Sequence, residues 1–350
     1  DISTAFDMAS VEKKQYENTK TSGTLDLQGF EYKSDEIPNV VKLDNTKVLF
    51  TPKTVELKEL KGSTGKTDFD ITGTLNNLLG FMFNDEKVEG KFNLRSNTFS
   101  LNDFMMAEST ESNNKEATSP PPVGNTEKIK IPSFLDCSIA ANANTVIYDN
   151  LTLKNVSGNL QIKDEKAILS NMTSSIFNGK LGFNGEVSTK NDTPEFAMTL
   201  GMDKLNIAET FTSLELLKAL APIAGYLQGL LNSDIQISGN LNDDFTPNLN
   251  TISGNVLAAI TTTHIDASDS PLLSALDSKL SFIDMSKLQL NGFKSKLAFK
   301  DGTVQVKPFT IDYQDIAINV SGSHTFDKKL NYQATVNVPV KYLGTEINNL

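Results

Sequence analysis

The chain has one cysteine, Cys137, no tryptophan, and two histidines, His264 and His324, in 350 residues. A single thiol excludes an internal disulfide and any cysteine-rich zinc site. It lies in the strand-like stretch SFLDCSIAAN, where cysteine usually serves as a small core residue. The two histidines are far apart and share no carboxylate pattern, so they read as surface or satisfied residues rather than metal ligands. No apolar run approaches the roughly 20 residues of a membrane-spanning helix. Positive charge is also short: 32 Lys and Arg against 43 Asp and Glu give a formal net charge of −11. That balance repels nucleic acid phosphates and anionic headgroups, so neither is an expected long-range electrostatic partner. The N-terminus, DISTAFDMAS, has neither the basic region nor the apolar core of a signal peptide. It reads as cut from within a longer protein, with an anchor or signal missing from this chain.

Reactive constellations are missing too. There is no Ser/His/Asp or Cys/His set, no zinc spacing and no EF-hand loop. GSTGKT (62–67) resembles the end of a phosphate-binding loop, but Leu60 stands where that loop needs glycine. The following TDFDITG continues as a strand rather than a helix, so the segment reads as a turn. The carboxylate pairs Asp312/Asp315 and Asp243/Asp244 read as solvated faces of an acidic protein. The Asn-x-Ser/Thr triplets at Asn155, Asn171, Asn191 and Asn319 read as chance matches. Neither an enzyme nor a bound cofactor is expected.

What the chain does have is a repeat. A shift of 112 residues sets Val48 and Phe50 on Leu160 and Ile162, and a further 137 sets those on Leu297 and Phe299. With the shifts held, Val55 and Leu57 match Ala167 and Leu169, then Val304 and Val306. Leu60 matches Met172 and Phe309; Phe69 and Ile71 match Leu181 and Phe183, then Ile318 and Val320; Gly73, Gly185 and Gly322 coincide. Spacing by two puts these residues on one face of a strand. Thr51-Pro52-Lys53, Asp164-Glu165-Lys166 and Asp301-Gly302-Thr303 supply turns between the alternations. Each unit is therefore a meander of about three antiparallel strands, with one apolar and one polar face.

More alternation surrounds the units, at 21–32, 87–96, 145–158, 233–241 and 331–340. Helical spacing appears at 205–231, through Phe211, Leu214, Leu217 and Leu220 and interrupted by Pro222, and at 270–283, capped by Ser270 and Pro271. The apolar patch LNNLLGFMF (75–83) predicts one or two helical turns. Residues 106–130 are polar, Pro/Ser-rich and aperiodic, which predicts a disordered linker between a β segment at 1–105 and a longer β region at 131–350.

The apolar faces must be covered. One answer is a filled sheet-on-sheet sandwich. The other is a curled sheet whose trough holds acyl chains, since rows of Phe, Leu, Ile and Val favour CH₂ groups by about 0.8 kcal/mol each. The repeat positions would line that trough: Val48, Phe50, Val55, Leu57, Leu60, Phe69, Ile71, Leu160, Ile162, Leu169, Met172, Leu181, Phe183, Leu297, Phe299, Val304, Val306, Phe309, Ile318 and Val320.

The run ANANTVIYDNLTLKNVSGNLQIKDEKAILSNMTSSIFNGKLGFNGEV (141–187) resembles the AsmA family of bacterial envelope proteins in its Bacteroidetes-like form. So do ALAPIAGYLQG (219–229), ISGNLNDDFTPNLNTISGNVLA (237–258) and DGTVQVKPFTIDYQDIAINVSGSHTFDKKLNY (301–332). The likeness covers about 131–345 closely and extends to 21–95 through the repeat. It implies a β-rich periplasmic body, tethered to the inner membrane by an N-terminal helix absent from this chain, that takes part in outer-membrane biogenesis. Larger relatives of the TamB type look like chorein-type bridge proteins, which carry phospholipid along a hydrophobic groove. The expectation is then a mainly β protein: an elongated, curved antiparallel sheet of repeated meanders forming an apolar groove, with two or three short helices. Its partner would be phospholipid or another acyl lipid. The alternative is a structural or regulatory envelope protein that assists outer-membrane protein assembly through protein contacts.

Overall fold

The computed structural model describes residues 1–342 apart from 4, 6, 7, 16, 17, 19, 21, 34–37, 52, 105–129, 222, 223, 225, 226, 244, 262, 263, 266–292 and 328. The chain is mainly β, as its alternations predict. Among the described residues there are 19 strands and four short α-helices, and 17 of the strands form one large, mostly antiparallel open sheet. Two compact units divide the chain: Asp1–Ser170 with Glu186–Phe196 and Leu241–Thr246, and Asn171–Gly185 with Ala197–Asn240 and Pro247–Leu350.

The first unit begins with β1 (Ile2–Ser3) and α1 (Met8–Glu12), followed by β2 (Ser22–Tyr32), β3 (Val41–Phe50), β4 (Thr54–Thr64) and β5 (Thr67–Asn76). Next come α2 (Leu78–Asn84), which matches the patch at 75–83, and β6 (Val88–Ser100). After residues 105–129 come β7 (Leu135–Tyr148) and β8 (Leu151–Lys163). Strands β2 to β6 form successive antiparallel ladders. β6 and β7 then pair in parallel, from Val88 with Leu135 to Ser100 with Ile147, so the sheet runs on across the segment that the sequence sets apart as a linker. The alternation at 145–158 is in fact two strands. Asp149, in the left-handed region at φ 51°, turns the chain, and Asn102 bonds to both its N–H and its carbonyl, at 2.8 and 3.0 Å.

Strands β9 (Lys166–Ile176), β10 (Gly179–Ser188) and β11 (Glu195–Asn206) hold residues of both units. The second unit continues with α3 (Ile207–Ser213), α4 (Glu215–Leu220), β12 (Leu227–Gln228), β13 (Leu230–Asn240), β14 (Ser253–Ile260) and β15 (His264–Ile265). It ends with β16 (Lys294–Lys300), β17 (Thr303–Tyr313), β18 (Ile316–Thr325) and β19 (Leu330–Asn337). β12 and β15 pair only with each other. The expected helix over 205–231 is shorter than its spacing suggests. Asn206 caps α3 by accepting the Glu209 N–H at 2.9 Å, Leu214 breaks the run with extended backbone, and Ala221 before Pro222 leaves helical geometry. From Leu227 onward the same apolar residues alternate and enter strands. The helix expected at 270–283 and the segment 106–128 lie outside the described residues.

The meanders of the repeat are β3 to β5, β8 to β10 and β16 to β18. Their turns use the predicted chemistry: Asp164 and Glu165 (φ 52° and 60°) and Asp301 and Gly302 (φ 48° and 73°) take the two left-handed positions that suit a tight hairpin. The repeat also preserves a bulge. In β4 the register passes from Leu57 opposite Gly73 to Leu60 opposite Ile71; in β17 it passes from Val306 opposite Gly322 to Phe309 opposite Val320. These are equivalent positions of the first and third copies, and the extra residue keeps Leu60 and Phe309 on the apolar face.

Candidate functional site

Residues directly opposed across a ladder project from the same face. In the first unit the registers join Leu25, Val48, Leu57, Gly73, Phe92, Ile139 and Leu160 in one row across seven strands. A second row holds Phe50, Val55, Leu75, Gly90, Cys137 and Ile162. A third holds Leu27, Thr46, Leu60, Ile71, Leu94, Ala141 and Gly158, with Phe69 beyond it opposite Gly62. All the predicted positions on β3, β4, β5 and β8 therefore share one face. The Phe92 ring lies over Gly73, where an added Cβ would fall 2.4 Å from Cδ1. The repeated glycine thus makes room for an aromatic from the next strand.

The opposite face of this unit is a charge ladder. Lys47 pairs with Glu59 at 3.2 Å, Lys61 with Glu59 at 2.8 Å and with Asp70 at 3.8 Å, and Lys42 with Glu31 at 3.3 Å. Hydrogen bonds from Lys61 and Lys47 hold the Glu59 carboxyl at about 2.

In the second unit, Ile235, Val256, Leu297, Val306, Gly322 and Tyr332 form one row. Ile237, Gly254, Phe299, Val304, His324 and Leu330 form the next, with Phe309, Val320 and Ala334, and then Ile311, Ile318 and Val336, beyond the bulge. His324 is buried and fully satisfied. Its Nε2–H donates to the Ala219 carbonyl of α4 at 2.9 Å, and Nδ1 accepts from the Tyr332 hydroxyl at 2.8 Å. Leu169, Met172, Leu181 and Phe183 lie on β9 and β10.

Burial separates the two units. Of the 24 buried apolar residues among those described, five (Val88, Cys137, Val156, Phe196 and Leu241) belong to the first unit and 19 to the second. The second unit has a dry core, to which α3 and α4 contribute Ile207, Phe211, Leu217 and Leu220. Of the 20 predicted lining positions, only Met172, Phe299 and Val304 are buried, all in the second unit; the other 17 are half-buried. Every predicted position on β3, β4, β5 and β8 is thus apolar, aligned and only partly covered.

Residues beyond those singled out in the sequence extend the rows: Leu25, Leu27, Leu75, Phe92, Leu94 and Ile139. The alternations at 21–32 and 87–96 signal Leu25, Leu27, Phe92 and Leu94, and only the register adds all six to the same face. The GSTGKT turn does hold an anion, but an internal one. The Lys66 and Thr67 N–H groups and the Thr67 hydroxyl all donate to Asp103 Oδ2, at 2.8, 2.9 and 2.8 Å. Burial and neighbouring Asp136 push the Cys137 thiol above its usual range, as suits an inert core residue. Among the described residues no group of three or more His, Cys, Asp and Glu gathers in metal-binding fashion, and no helix is long and apolar enough to cross a membrane. No family model matches the chain, and neither does any curated protein or solved structure.

Proposed function

We propose that this chain is a non-enzymatic lipid-binding and lipid-transfer module of the bacterial periplasm that serves outer-membrane biogenesis, with the apolar sheet face of the first unit acting as a groove for acyl chains. The observation that carries the reading is that the predicted positions on β3, β4, β5 and β8 are aligned yet only half-buried, set against an opposite face that carries the lysine–carboxylate ladder. An acyl chain laid along such rows gains about 0.8 kcal/mol for each CH₂ removed from water, part of which offsets the ordering of the chain. The AsmA-like segments supply the cellular setting: a periplasmic body tethered to the inner membrane. Charge plays little part, since the face itself is neutral.

Native mass spectrometry with organic extraction of the purified chain tests this directly. Co-purifying phospholipid is expected, and Leu57→Glu, within the first row, is expected to abolish it while circular dichroism stays unchanged. Val304→Glu is the contrast, because Val304 is wholly buried and its substitution should unfold the second unit. Lipid-free wild-type protein, or lipid retained in folded Leu57→Glu, would overturn the reading.

A further inference from the structure

β19 ends the run of ladders through the second unit. It pairs with β18 over eight consecutive positions without a bulge, from His324 with Leu330 to Ala317 with Asn337. Seven of its eight residues are exposed, and only Val336 is half-buried. The sequence LNYQATVN carries none of the devices that blunt a sheet edge: no charge, no proline, no glycine and no irregularity. β2 shows what such devices look like. It has Asp26, Glu31, a left-handed Gly29 at φ 64°, and β1 laid against Gly23 and Ser22.

We propose that β19 is the docking edge for a second copy of this chain, the two β19 strands pairing antiparallel about a two-fold axis at Gln333. A regular uncharged strand offers alternating N–H and C=O groups that another strand satisfies. The fit requires apolar residues to meet apolar ones, and β19 meets this requirement with itself. Centred on Gln333, Leu330 faces the partner's Val336 and Tyr332 faces the partner's Ala334 on the apolar side. Asn331 faces the partner's Thr335 on the polar side, and the two Gln333 amides meet. No like charges are opposed. Near the ends of the strand, Lys329 is paired with Asp327 at 2.8 Å and Lys341 with Asp315 at 2.6 Å. The consequence is an apolar face continued from one copy into the next. This holds whether or not that face carries lipid.

An eight-residue edge is small beside the roughly 1,600 Å² of a standard interface, so the association is weak, on the order of tens of micromolar. Sedimentation velocity on the full chain, from micromolar to submillimolar concentration, is expected to show a monomer–dimer equilibrium. Gln333→Lys and Gln333→Glu each place like charges on the axis and are expected to weaken it about fivefold, while an equimolar mixture of the two restores it. Gln333→Cys is expected to yield a disulfide-linked dimer on mild oxidation, and Asn331→Cys is not, because that position faces Thr335. A wild-type chain that stays monomeric throughout, or a mixture of the charged variants no tighter than either alone, would overturn the proposal. Unchanged circular dichroism in these exposed variants separates the result from misfolding.

Discussion

Three donors converge on one carboxylate oxygen of Asp103, and the Thr67 hydroxyl that supplies one of them also accepts the Ser100 N–H at 2.9 Å. Gly65, at φ 54°, sits so close that an added Cβ would fall 2.5 Å from Asp103 Oδ1. The glycine, lysine and threonine that mimic a phosphate loop are therefore fixed by a tight turn and an internal acceptor. Asp103→Ala would leave two backbone N–H groups and a buried hydroxyl without their acceptor, and is expected to cost about 2–4 kcal/mol. Asp103→Asn keeps an oxygen at the site and should cost clearly less. Urea denaturation of both variants decides it, and a change below about 0.5 kcal/mol for Asp103→Ala would show that the turn stands without its anion. In the sequence, GSTGKT could be recognised as a turn because Leu60 and TDFDITG rule out a phosphate loop. Its partner could not be read, because a contact 36 residues distant depends on the ladder from β5 to β6.

At the scale of the element, alternation, hairpin turns and the apolar face were all legible, because a period of two fixes which side each residue takes. The bulge was legible in part. The three-residue step from Leu57 to Leu60 recurs from Leu169 to Met172 and from Val306 to Phe309, and only an extra residue in the strand keeps both ends on one face. The extent of the helix was not legible, since Leu227 to Leu231 suit either period, nor was the parallel pairing of β6 with β7. The polar face makes its own prediction. Glu59 is held at about 2 by Lys61 and Lys47, below its ordinary 4.5. A depressed carboxylate contributes stability that is complete above the unfolded value and is lost as pH falls through the folded one. Thermal melts should therefore fall between about pH 5 and pH 2, and Glu59→Gln should show a shallower decline across that window. Because the ladder lies on the surface, added salt should weaken it as well, and identical slopes for wild type and Glu59→Gln would show that the ladder contributes nothing.

At the scale of the whole molecule, the repeat predicts equal roles for its copies, but burial does not follow the repeat. The first copy's Phe50 and Val55 are half-buried, whereas Phe299 and Val304, their equivalents in the third, are 3% and 0% exposed. The pattern specifies which face is apolar but not what covers it. That depends on elements such as α4, whose Ala219 carbonyl bonds to His324. Unequal cores imply unequal local stability, because cooperative opening tracks the apolar surface held from water. In hydrogen exchange, β3 to β5 are expected to open more readily than β16 to β18 in lipid-free protein. A ligand that binds only the folded face stabilises it by about 2.7 kcal/mol at a hundred times its Kd. Short-chain phosphatidylethanolamine should therefore slow exchange in β3 to β5 and leave β16 to β18 nearly unchanged. Equal protection of the two meanders without lipid would mean that the half-buried rows are as firmly held as the dry core. A uniform slowing with lipid would place the binding elsewhere than the first unit's face. Selective slowing of β3 to β5 is the one pattern that links the uncovered rows to the lipid they are proposed to carry.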